Sequence, residues 1–216
     1  MKRSDTEQTL TTSALLRENQ KLQKELTRYR HLAYRDGLTG LYNRRSFDER
    51  LQQECARAKR AQGRFCLLVI DVNQLKPIND LHGHQAGDHA LQFVAQSLTR
   101  SVRDHDLCFR TGGDEFCVLL VDADETALQA IQDRIHRHLD SSELELGFNV
   151  SVSAGSACFP INGASPRQLT ARADEAMYQY KASTRPKTQR KSLPSIAVAL
   201  KLIAASLFVL CSFAVI

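Results

Sequence analysis

Apolar and polar positions along this chain follow two periods, and the switches between them mark its elements. Over residues 12–34 the period is helical. Leu15, Leu22 and Tyr29 recur every seven residues, and Asn19, Leu26 and Ala33 fill the alternating position of a 4-3 repeat. Such a stripe suits a short parallel coiled coil with a second copy, in which a lone Asn sets register at some cost in stability. A solvated helix packed on its own domain is the plainer alternative. From Ser46, with Asp48 and Glu49 in the first turn, Phe47, Leu51, Cys55 and Ala58 step along one helical face until Gly63 closes it. Phe65–Val72 is nearly all apolar, as a central strand covered on both faces must be. Pro77 and Gly83 interrupt the next stretch, and helix resumes over Asp88–Ser101 with Leu91, Val94, Ala95 and Leu98 on one face. Residues 107–121 form two apolar runs around Gly112-Gly113, a dipeptide that tolerates the positive φ of tight hairpin turns. A helix over Glu125–Leu139, an alternating strand over Phe148–Ala157 and a last helix over Leu169–Lys181, ended by Pro186, complete the order. This order predicts an α+β fold with helices packed on a mixed or antiparallel sheet.

The C-terminal pattern is different. Residues 196–216 are apolar apart from Lys201 and two serines. As a helix they reach about 31 Å, close to the ~30 Å hydrocarbon core of a bilayer. Lys201 lies near one end, where its side chain can snorkel. Lys187, Arg190 and Lys191 precede the run, which under the positive-inside rule puts the domain before it in the cytoplasm. These residues also locate the charge. The five basic residues after Lys181 (Arg185, Lys187, Arg190, Lys191 and Lys201) equal the net +5, so the first 181 residues sum to zero. The pI of 9.0 therefore reports a basic tail, and no nucleic-acid partner is expected. Because the run reaches the last residue, a longer parent protein with further spans stays open. The N-terminus opens no apolar stretch of the signal-peptide kind. Six cysteines without a C-x-x-C pair, several inside strand-like runs, predict buried reduced thiols, with neither a disulfide nor a zinc site.

Candidate chemistry sits at strand ends. Asp114 and Glu115 follow Gly113 at the hairpin, and Asp71 ends the first apolar strand. Turn acids and a strand-terminal Asp are common structural devices when met singly. Carboxylates from two strand ends can also meet around a divalent cation, and Mg2+ prefers one or two carboxylates plus substrate phosphates.

Four stretches occur in an order that resembles one known family. Gly112-Gly113-Asp114-Glu115-Phe116 resembles the signature of the GGDEF family, the diguanylate cyclases. Asp36–Arg45 resembles its entry motif, Asn79–Asp88 its nucleotide-binding stretch, and Ala173–Lys181 its closing helix. The resemblance implies the palm-like sheet of nucleotidyl cyclases and polymerases, with flanking helices. It also implies condensation of two GTP to cyclic di-GMP by a homodimer, with loss of pyrophosphate and dependence on Mg2+ or Mn2+. It assigns Asp71, the Val72 carbonyl, Glu115 and Asp114 to the metal. Asp114 is alternatively the base for the attacking hydroxyl. It makes Asn79 and Asp88 guanine readers and His84 a substrate contact, and it puts Lys76, Lys181 and Arg185 near the phosphates. Arg103 and Asp106, placed before the hairpin like the family's RxxD motif, become an inhibitory product site.

The chain departs from the family pattern at Val72-Asn73-Gln74-Leu75, where a second Asp and aromatic residues are usual, and at Thr184, where Gly is common. The domain expectation is a dimerising helix over 1–34, the cyclase domain over 35–186, a basic linker over 187–195 and a transmembrane helix over 196–216. The leading expectation is a diguanylate cyclase at a bacterial inner membrane with its catalytic domain cytoplasmic. The alternatives are a cyclic di-GMP receptor acting through Arg103 and Asp106, and an interaction module with vestigial nucleotide binding.

Overall fold

The structure is a computed structural model that describes residues 16–27, 29 and 33–184. Its compact unit ends at Lys181, and of residues 182–216 only 182–184 are described. Arg185, the basic linker and the apolar run 196–216 thus lie outside the described residues. Among the described residues no helix is long and apolar enough to cross a membrane.

Past a helical stretch over 16–27, the elements run α1 (Arg44–Ala61), β1 (Phe65–Val72), α2 (Leu75–His82), α3 (His84–Ser101), β2 (Leu107–Arg110), β3 (Glu115–Val121), α4 (Glu125–Leu139), α5 (Ser142–Leu146), β4 (Val152–Phe159) and α6 (Pro166–Thr184). The sheet order is β2-β3-β1-β4, and every pairing is antiparallel. This settles the expected α+β architecture as a four-stranded antiparallel sheet with helices on both faces.

The apolar run of β1 follows from its place at the centre. Leu67 and Val69 face α1 and α6, in a core with Phe47, Leu51, Leu169 and Ala173. Leu68, Ile70 and Val72 face α3 and α4, in a core with Leu91, Val94, Leu98, Ile131 and Ile135. Side chains alternate across a strand, so Asp71 falls on the same face as Val69, the side of α1 and α6. That one position decides which helix can reach the carboxylate.

Several local expectations are corrected. The first helix starts at Arg44, because the Asn43 side chain accepts a hydrogen bond from Ser46 N at 3.1 Å and caps it there. Its left-handed C-cap residue is Gln62, at φ 51°, one place before Gly63. Pro77 does not break the chain but lies in the first turn of α2, where a missing N–H costs no helical bond. Gly83, at φ 86°, then separates α2 from α3, which starts at His84 rather than Asp88. The last strand begins at Val152 and not Phe148, because its partner β1 ends at Val72, directly opposite Val152. Before that point Val150 N donates to Ser142 Oγ at 2.9 Å, so the chain is held by α5.

The largest correction concerns the thiols. Cys66 and Cys158 are direct cross-strand partners in β1 and β4 and are joined as a disulfide, where reduced cysteines were expected. Sequence spacing of 92 residues gives no hint of this pairing, which register alone creates. Cys55, Cys108 and Cys117 are free and buried.

Of the predicted coiled-coil stripe, Leu22, Leu26 and Tyr29 are 56%, 50% and 66% exposed, so they do not pack on their own domain. Leu15 lies outside the described residues.

Candidate active site

The site is assembled at the end of the sheet where β1 stops and the β2–β3 hairpin turns. Asp71 is paired directly with Glu115 across the β1–β3 ladder. Residues directly opposite in an antiparallel pair carry their side chains on one face with Cβ atoms about 5 Å apart. Two carboxylates at that spacing repel unless a cation lies near them, and one does. Lys181 Nζ of α6 donates to Asp71 Oδ1 at 2.6 Å. Lys181, predicted at the phosphates, is thus brought onto the predicted metal carboxylate.

The hairpin tip is shaped by close approach and not by unusual backbone angles. Gly112 and Gly113 do not adopt positive φ, contrary to the expectation for this turn. A Cβ on Gly112 would instead lie 2.7 Å from Glu115 Oε2, so the missing side chain lets Glu115 fold back under the turn. Thr111 N and Gly112 N both donate to Glu115 O, at 2.9 and 3.3 Å. Asp114 O accepts from Val72 N at 2.9 Å, which ties the tip to the end of β1. Asp114, Val72, Asp71 and Glu115 are therefore neighbours.

Two residues missed at the sequence level hold this tip. Arg110 Nη2 donates to Gly113 O at 2.7 Å, and its Nη1 donates to Asp36 Oδ1 at 3.1 Å. Burial raises the Asp36 pKa, but bonds from Thr39 and Arg110 outweigh it and hold the carboxyl below its ordinary value. Asp36 and Arg110 are 74 residues apart, so no local spacing reveals their partnership.

The second half of the site is the α2–α3 corner. Asn79 Oδ1 is buried and has no hydrogen-bond partner. It lies against Gly87, where an added Cβ would overlap it and come within 2.8 Å of Asn79 Cγ. Asp88 follows Gly87, His84 opens α3, and both are exposed. Lys76 is exposed in the first turn of α2.

The departing residue Asn73 is used elsewhere. Its side-chain amide donates to Ser151 Oγ at 3.2 Å and accepts from Ser153 Oγ at 2.8 Å, so it anchors the exit of β1 to β4. Leu75 packs against the α3–α4 side of the core.

Arg103 and Asp106 stand apart from this cluster. Asp106 Oδ1 accepts from Val121 N at 3.1 Å, at the far end of β3 from Glu115. Six strand steps separate those ends, about 20 Å. Asp106 Oδ2 accepts from Arg103 N at 3.0 Å, while the Arg103 side chain is exposed.

No three His, Cys, Asp or Glu side chains converge as a metal cluster among the described residues. The donor set nonetheless fits a hard divalent cation. Asp71 and Glu115 supply carboxylate oxygens from opposed strands, and the ammonium on Asp71 marks where positive charge is accepted.

Residues 33–187 match the family described as diguanylate cyclase, GGDEF domain, and the chain belongs to that family. Among relatives, it is 37% identical over 169 residues to the response regulator PleD of Caulobacter vibrioides, covering 76% of this chain and 37% of PleD. It is 37% identical over 150 residues to the diguanylate cyclase DgcS of Shewanella oneidensis, covering 69% of this chain and 50% of DgcS. The chain thus spans half or less of the length of these relatives. Among solved structures, the coiled coil and GGDEF domain of DgcB from Caulobacter crescentus in complex with c-di-GMP superposes with a TM-score of 0.72. That match has 29% identity and covers 80% of this chain and 93% of the solved coiled-coil and GGDEF chain.

Proposed function

We propose that this chain condenses two GTP molecules into cyclic di-GMP, with one nucleotide bound per domain and two domains facing each other. The observation that carries this reading is Asn79 Oδ1, a buried acceptor without a partner beside the side-chain-free Gly87. Leaving such a group unpaired costs about 1–3 kcal/mol. A guanine edge offers the N–H donors that an amide oxygen would accept, and Asp88, next to Gly87, adds a carboxylate to the same corner.

The phosphate end is Asp71, Glu115 and Lys181. Asp71 and Glu115, with the Val72 carbonyl, would hold Mg2+ or Mn2+, which when bound supplies charge neutralisation for the phosphates. Lys181, held on Asp71, adds a positive charge there, joined by Lys76 and Arg185 in this reading. Asp114, tied to β1 through its backbone, takes the proton of the attacking 3′-hydroxyl. The hydroxyl oxygen bonds to the α-phosphorus of the opposite nucleotide, and the bond to pyrophosphate breaks. The same step in the other direction closes the ring. Arg110 and Asp36 hold the tip that carries Asp114.

Product inhibition is part of the proposal. Arg103, exposed and far along β3 from the hairpin, supplies the fork for guanine or phosphate. Asp106 holds the Arg103 backbone in place. Attachment to a bacterial inner membrane through residues 196–216, with the domain cytoplasmic, completes the reading.

Incubation of the full chain with GTP and Mg2+, with chromatography of the products, tests the activity. The wild type is expected to form cyclic di-GMP and Asp114→Ala none. Tight cyclic di-GMP binding without synthesis would make the chain a receptor. An Arg103→Ala protein inhibited by product with unchanged affinity would remove the inhibitory site.

A further inference from the structure

We propose that Gly155, in the middle of β4, is a positioning residue that sets Lys181 on Asp71. Gly155 pairs with Val69 of β1. A Cβ at Gly155 would overlap the backbone N of Met177 and the backbone O of Ala173, and would lie 2.7 Å from Met177 Cα. The obstacle is helix backbone, which cannot swing aside as a flexible side chain can. The α6 main chain therefore lies directly on β4 only because position 155 has no side chain.

That contact fixes more than packing. Asp71 stands two residues beyond Val69, about 6.7 Å along the strand. Lys181 stands four residues beyond Met177, about 6 Å along the helix. The two advances match, so a helix seated with Met177 at Gly155 delivers Lys181 beside Asp71, where Nζ and Oδ1 are 2.6 Å apart. A side chain at 155 lifts α6 at Met177 and withdraws the ammonium one turn later. The local residue types fit this use. Ala173 and Leu169, both fully buried, continue the same face of α6 toward its start, and Lys181 is the charged end of that face.

This inference rests on reading Asp71 and Lys181 as the phosphate end of a nucleotide site, and its first test needs no activity. Amine acetylation of the full chain, mapped by mass spectrometry, reads the accessibility of Lys181 directly. Breaking a charge-assisted hydrogen bond of ordinary strength corresponds to about a tenfold change, so Gly155→Ala is expected to raise Lys181 modification by about that factor. Unchanged modification in folded Gly155→Ala overturns the proposal and leaves the functional reading intact. Where the chain makes cyclic di-GMP, the KM for GTP gives a second readout. Gly155→Ala is expected to raise KM in the wild type and to add nothing in a Lys181→Met background. Equal factors in both backgrounds would mean a general structural role and overturn the proposal. If Gly155→Ala does not fold, Leu169→Val decides. It loosens α6 at its buried start while leaving the Gly155 contact in place. Lys181 is expected to stay protected, and modification rising with the lost stability would show that overall packing sets the lysine.

Discussion

Asp106 uses both carboxylate oxygens on backbone donors, Arg103 N and Val121 N, and is buried while doing so. Its removal leaves two part-buried N–H groups without their carboxylate acceptor, so Asp106→Ala is expected to lower unfolding stability by about 1–3 kcal/mol. Arg103→Ala, at an exposed side chain, is expected to stay within about 0.5 kcal/mol of wild type. Urea denaturation of the two variants checks this contrast, and equal losses would refute it. Asp36 gives a pH-dependent counterpart. Its folded pKa lies below the ordinary 3.8, so its contribution is fully present above that value and fades as pH falls through the lower, folded one. The stability gap between wild type and Asp36→Asn is expected to be flat above pH 3.8 and to close below it in acid titrations followed by circular dichroism. Residues of these kinds were not equally legible in the sequence. Asp71, Asp114 and Glu115 stand out because a strand end and a turn display acids locally. Arg110 and Asp36 do not, because their pairing exists only once β2 has been laid beside the entry loop.

At the scale of elements, the apolar run of β1 and the helical stripes of α1, α3, α4 and α6 announce themselves, since both faces of β1 are covered. What escapes is whatever depends on a partner. The start of β4 follows from where β1 ends. The short α2 and α5 present too few periodic positions to be read, and α2 is masked further by a proline harmless in its first turn. The cysteines make the same point. Alternation puts Cys66 and Cys158 on the α3–α4 face, and register makes them opposite. Peptide mapping without reductant is expected to recover a Cys66–Cys158 cross-linked pair, and reduction to lower stability by about 2–4 kcal/mol, since the bridge closes a long loop. Recovery of both as free thiols would refute it. The remaining described thiols are expected to resist alkylation in the folded chain at neutral pH. Burial, with Glu54 nearby, pushes Cys55 up to about 11, and burial pushes Cys108 and Cys117 up to about 12.

For the whole molecule, the proposed product contains two guanines while each domain offers one Asn79–Gly87 corner. On that proposal synthesis takes two copies, and we propose that the leading helix brings them together. Leu22, Leu26 and Tyr29 are at least half exposed in the single chain, and their 4-3 spacing is that of a helix pairing with its own kind. Assembly by mass action then becomes a control on rate, because active pairs accumulate only above the dissociation constant of the helix pair. A Leu22→Asp/Leu26→Asp protein is expected to sediment as a monomer at concentrations where the wild type is dimeric. Its specific activity should fall in dilute solution and recover as protein concentration rises, since the site residues are untouched. Sedimentation velocity and product formation, measured over the same dilution series, would put both quantities on one axis. Full specific activity from the monomeric variant in dilute solution would separate synthesis from this helix. Activity that never recovers at high concentration would instead mean that the helix sets how the two domains face each other, and not merely how often they meet.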